Sequence, residues 1–212
     1  MKKWDLLLAH IANNIPKFKI IEKESSRLMR LLSFLLFFNK RFMKDFTTTI
    51  YPVIYYPKQL LQSGDEIGRI IILCHEYVHL QDRKKLGILF NILYLSPQIF
   101  VLLALLSIWF SNNWLWCLLF ILPMPSPFRA YFEYKAYKMS MCVYYYILNK
   151  TPPIDFYVEQ FTSPNYYWML PFKCFMYKNF AEHVKNIRNK KIDDELIIEI
   201  KNILLPLKNN EK

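Results

Sequence analysis

The chain has 212 residues, 54% of them hydrophobic, with only 3 glycines; it is long enough for a buried core, and so few tight-turn residues favour long helices. Its formal charge is +11, from 28 basic and 17 acidic residues, yet no Gly-rich basic loop or RNA-binding aromatic signature accompanies the charge, so no nucleic-acid partner is expected. Cys74, Cys117, Cys142 and Cys174 form no CxxC pair, which excludes a patterned disulfide framework and fits a reducing compartment.

Trp4, Leu7, Leu8, Ile11 and Ile15 recur at helical spacing up to Pro16, which ends the pattern. Asp5 interrupts the basic start Met1-Lys2-Lys3, so no cleavable signal is expected there. A second helix is predicted over residues 24–43, apolar nearly all round between Leu31 and Phe38. Residues 46–56, rich in Thr, Ile, Val and Tyr, read as a strand. Pro52 cannot donate to a ladder, so this is expected at a sheet edge. An edge is where an extended peptide can pair main chain to main chain, and the equal alternative is a strand that simply finishes a small sheet.

From Glu66 to Lys85 the pattern is again helical, with Gly87 as the stop. Inside it lies His75-Glu76-Tyr77-Val78-His79. Two histidines four apart on a helix project from one face and can reach one Zn2+. Glu76 sits beside them as the base that takes a proton from zinc-activated water. The apolar run Ile70 to Leu73 precedes the motif and buries the helix.

Residues 86–128 carry no charged side chain. Two full membrane crossings need about 20 apolar residues each. Tyr94 to Phe110 is broken by Pro97, and Trp114 to Leu122 is shorter still before three prolines. An apolar helical hairpin dipping into one leaflet fits these lengths better, the alternative being a helical pair buried within a soluble domain. Arg83, Lys84 and Lys85 on one side and Arg129 and Lys135 on the other would then face the same anionic surface. Trp109, Trp114 and Trp116 near the turn fit this less simply, because tryptophans prefer interfaces.

A helix from Arg129 to Leu148 follows, containing Arg129-Ala-Tyr-Phe-Glu133-Tyr-Lys-Ala-Tyr137. A catalytic zinc takes three protein ligands and one open position. Glu133 is the better third candidate than His10 or His183, because Ala130, Ala136 and Ser140 share its side and let the two helices approach closely. Arg129 and Tyr137, one turn either side, are placed to orient the carboxylate or a substrate carbonyl. Asp82, one turn beyond His79, is a candidate support for the ligands. The Pro- and aromatic-rich stretch 151–175 receives no assigned helix; its part from Phe161 to Pro171 either lines a cleft or packs over the zinc helix. An amphipathic helix, from Asp193 to about Leu205, closes the chain.

HExxH followed downstream by Glu133 in an ExxAY-like helix resembles the gluzincin group of zinc metallopeptidases. From Phe46 to Tyr146, the order of edge strand, HEYVHLQDRKKLG helix and RAYFEYKAY helix is similar to that of small bacterial and phage metallopeptidases. Length and the Gly-poor composition point to a single domain over residues 1–212, mainly α with a small β edge (α+β) and an apolar hairpin inserted at about 86–128, and the resemblance makes its core zincin-like. The resemblance implies His75, His79 and Glu133 as zinc ligands, Glu76 as base and a peptide or protein substrate. Tyr137 stands where many gluzincins carry an aspartate, and the third histidine and glycine of metzincins are absent. If His75 and Glu133 share a zinc, the chain between them leaves and returns on the same side of any membrane. The expectation is a membrane-associated peptidase with its site on the cytoplasmic face. The alternative is a membrane-associated structural or interaction protein in which zinc only joins two helices.

Overall fold

The structure is a computed structural model and describes residues 2–35, 41–108, 112–121, 124–163 and 168–205. It is mostly helical with one three-stranded sheet, as the α+β expectation requires. Helix α1 (Lys3–Asn14) buries Leu7 and Ile11. Strand β1 (Lys19–Glu22) and a 3-10 turn (Lys23–Ser25) lead into α2 (Arg27–Leu35). The helix expected over residues 24–43 is therefore shorter at its start, and residues 41–45 are a turn; positions 36–40 of that expectation lie outside the described residues.

The stretch expected to be one edge strand is a hairpin, β2 (Thr48–Ile50) and β3 (Val53–Tyr56). Pro52, which has no N–H to donate, falls in the connection rather than in a strand. The sheet order is β1-β3-β2, with β1 parallel and β2 antiparallel to β3. So β2 is an edge and β3 the centre. Lys23 is fully buried beneath this sheet. Its ammonium donates to the carbonyls of Phe42 (2.6 Å) and Phe46 (2.8 Å) and lies over the Phe42 ring. Burial lowers its pKa to about 8, with Glu76 and Glu24 opposing that shift. The clamp fastens the segment that runs into β2.

After the short α3 (Lys58–Gln62), α4 (Glu66–Leu86) forms the central helix. Asp65 caps its start by accepting from the Gly68 N–H, and Gly87, at φ +59°, ends it with an N–H to the Arg83 carbonyl. Ile70, Leu73, Cys74, Tyr77, Val78 and Leu80 are buried on it. Each large apolar side chain so enclosed contributes about 1.5–3 kcal/mol. Helix α5 (Ile88–Tyr94) follows, then two 3-10 arms, Gln98–Ile108 and Asn112–Ile121, that pack on each other with Phe100 against Phe120. The uncharged stretch thus does double back. Among the described residues no single helix is long and apolar enough to cross a membrane; one bent pair, Ile88–Tyr94 with Gln98–Leu106, reaches that hydropathy across a 97° bend. Trp109 lies outside the described residues.

Helix α6 (Pro127–Leu148) opens with proline in its first turn and packs along α4. The stretch left without a helix contains α7 (Ile154–Thr162) and the start of α8 (Lys173–Arg188), and α9 (Glu195–Leu204) closes the described chain. Phe161 and Met169 join the core that includes Tyr137, so these two residues pack into the interior; positions 164–167 lie outside the described residues.

His183 on α8 is buried, its Nε2–H donating to the Lys138 carbonyl (3.1 Å) near the Cys142 sulfur. Burial lowers its pKa from 6.5 to about 4. Between those values the unfolded chain binds the proton and the folded chain does not, so stability is lost as pH falls from about 6.5 towards 4. From pH 7 to 5 this group should remove about 2 kcal/mol of unfolding free energy. Urea titrations at several pH values check this: in His183→Gln the wild-type slope over that window should flatten by that amount.

Candidate metal centre

Position 75 and position 79 occupy the face of α4 that meets α6. Helix α6 can come close because Ala130, Ala136 and Ser140 are small and buried where the helices touch. Glu133, only 5% exposed, projects from α6 between the two imidazoles. Its Oε2 lies 3.3 Å from His75 Nε2 and its Oε1 3.5 Å from His79 Nε2. One donor atom from each of the three falls within 4.8 Å of the others, so the group can hold a metal ion.

The tautomer of His75 follows from its outer partner. Ser140 Oγ donates to the Ala136 carbonyl (3.2 Å), so it accepts from His75 Nδ1–H (3.3 Å). That leaves the lone pair of Nε2 directed at a carboxylate oxygen. Two acceptors facing each other in a buried space need a cation between them, either a proton or a metal ion. The nitrogen, nitrogen and oxygen donor set suits zinc. His79 Nδ1 is also buried and has no hydrogen-bond partner among the described residues.

Burial opposes ionisation of Glu133, but the charge and hydrogen bonds of His79 and His75 outweigh it and hold the carboxyl well below its usual range. Burial likewise lowers His79, and Glu133, Glu76 and Asp82 together raise it above 6.5. The two shifts go together: the Glu133 carboxylate holds a proton on His79, and the imidazoles keep Glu133 ionised.

Glu76 points to the sheet side of the cluster. The Thr49 hydroxyl of β2 donates to its Oε2 at 2.7 Å. This couples the edge strand to the motif helix, and nothing in the spacing of Thr49 announces it. Asp82 accepts from the Lys135 ammonium, closing α4 on α6 one turn beyond His79 and two residues beyond Glu133, and its charge also acts on His79. Tyr137 sets its ring edge-on to His75 at 4.6 Å and is itself walled by Tyr157 and Phe161. Arg129 lies 5.4 Å over the ring of Tyr94, and the Tyr94 hydroxyl donates to Glu133 Oε1. Tyr94, Thr49, Ser140 and Lys135 are the contributors that motif reasoning passes over or leaves without these contacts. His10 and His183 lie in other polar clusters, His10 beside Glu199 and Asn14.

No family model matches this chain, and no curated protein or solved structure matches it.

If the three donors hold zinc, zinc at one hundred times its Kd should raise folding stability by about 2.7 kcal/mol. Thermal melts with added zinc, and then with chelator, check this. The rise should reverse with chelator and be absent from Glu133→Ala.

Proposed function

We propose that this protein is a zinc-dependent metallopeptidase with a zincin-like core, working at a membrane surface. The observation that carries the reading is the convergence of His75, His79 and Glu133 on one point, with Glu76 beside them and tied to an edge strand. His75, His79 and Glu133 would hold the ion. Zinc in such a set acidifies water and polarises a carbonyl oxygen.

The protein's own part begins with Glu76. Thr49 engages Oε2, which leaves Oε1 to take the proton of the attacking water and pass it to the leaving amine. Strand β2 offers a sheet edge next to that carboxylate, where an extended peptide can lie antiparallel and present its scissile bond. Tyr137 and Tyr94 wall the two imidazoles with aromatic rings, which limits water access and strengthens every charge interaction inside.

Membrane association is supported by the apolar surface of the α5 and 3-10 segment. Ile88 is 65% exposed, Leu105 60% and Trp116 73%, and Arg83, Lys84, Lys85 and Arg129 flank the stretch. Such a surface, basic at its margin, fits an anionic bilayer. Vesicle co-sedimentation checks it: the protein should pellet with phosphatidylglycerol-containing vesicles, and Leu105→Asp with Trp116→Asp should stay in the supernatant.

Glu76→Gln tests the catalytic reading. Zinc content should remain at about one per chain, while cleavage of a peptide library should fall at least 100-fold. If wild type binds zinc and cleaves nothing that Glu76→Gln spares, the ion only joins α4 to α6 and the protein is a structural or interaction module.

A further inference from the structure

We infer that Tyr94 is a positioning residue for Glu133, which makes α5 a working part of the metal centre as well as the root of the apolar segment. The inference rests on His75, His79 and Glu133 being metal ligands.

Helix α5 has two faces. Ile88, Leu89 and Ile92 are exposed on one. Phe90 and Tyr94, one turn apart, face α4 and α6 on the other. The Phe90 ring stacks on Tyr94 at 5.5 Å and meets Phe132 edge-on at 4.8 Å. Both rings reach His79, Phe90 at 6.2 Å and Tyr94 at 5.6 Å. Apolar packing alone would be served by phenylalanine at position 94. The hydroxyl is the addition, and it lands on Oε1 of Glu133.

That contact has a specific mechanical effect. The terminal torsion of a glutamate is broad, so an unrestrained carboxylate turns freely and presents its oxygens in many directions. Here His75 faces Oε2, while His79 and the Tyr94 hydroxyl face Oε1. The phenol therefore holds the carboxylate plane so that one oxygen is kept toward each imidazole. Arg129, one turn before Glu133 on α6, lies over the Tyr94 ring and holds it from the far side. Ser140 does the matching work behind His75. Two of the three ligands thus have an outer hydrogen-bond partner, and partners of this kind are commonly worth 10- to 100-fold in metal affinity.

The test compares full-length Tyr94→Phe with wild type and with Phe90→Leu, which disturbs the same packing without touching Glu133. Zinc affinity is measured by competition with a chelating dye, and the visible spectrum of the cobalt-loaded protein reports the geometry of the ligands. Tyr94→Phe should bind zinc about 10- to 100-fold more weakly with a shifted cobalt spectrum, and its metal-free melting temperature should fall no further than that of Phe90→Leu. Phe90→Leu should melt lower and keep the wild-type spectrum. Wild-type affinity and spectrum in Tyr94→Phe, or equal zinc losses in both variants, would overturn the inference and leave the metal reading standing. A wild-type protein that binds no zinc would overturn both.

Discussion

A carboxylate moved from water into a nearly closed space among aromatic rings carries a penalty of several kcal/mol unless charge and hydrogen bonds compensate it. Glu133 is in that position, and its compensation comes from two imidazoles on a neighbouring helix. This requirement governs the packing of α4 on α6. Ala130, Ala136 and Ser140 must be small for the helices to meet at that distance, and Asp82 with Lys135 closes the joint one turn further on. Larger side chains at the three small positions would separate Glu133 from the histidines and leave its charge stranded. A cation completes the group, either a proton on the imidazoles or a metal ion, because the His75 lone pair and the Glu133 oxygen otherwise confront each other.

The remaining elements serve that joint from two sides. On one, the sheet brings β2 beside α4, and Thr49 reaches Glu76. Buried Lys23 makes this dependable by tying down the carbonyls of Phe42 and Phe46, just before the strand begins. On the other, α5 places Tyr94 on the Glu133 carboxylate. The apolar segment that follows must then return to α6 within reach of its starting point. Its two arms packing on each other satisfy that geometry. An apolar surface and a polar centre are therefore built from one continuous stretch, with α5 shared between them.

The parts of this arrangement legible in the amino-acid order are those with strong local signals. The motif helix announces itself by its helical pattern from Glu66, its stop at Gly87 and the two histidines at helical spacing. Glu133 is legible because its own face is lined with small residues. The final helix shows a clear stripe of Ile197, Ile200 and Leu204. Strand β1 is not legible, because four residues paired to a distant strand carry almost no pattern of their own. Pro52 suggests an edge strand when it marks the turn of a hairpin, since both placements spare it a ladder bond. Helix α7 hides among prolines and aromatic residues, whose local preferences point away from a helix that tertiary packing nonetheless supports. Thr49, Tyr94 and Ser140 belong to a different class. Their contacts span 27, 39 and 65 positions along the chain, and no local pattern encodes such a meeting.

The central claim is that one zinc ion sits between α4 and α6 on two imidazole nitrogens and a carboxylate oxygen. X-ray absorption at the zinc edge on stoichiometrically loaded protein tests it most directly. The account predicts a shell of nitrogen and oxygen at about 2.0–2.1 Å with the outer scattering of two imidazoles and no sulfur. In His79→Ala that scattering should fall to one imidazole. A sulfur shell at about 2.3 Å, or imidazole scattering unchanged by His79→Ala, would contradict it.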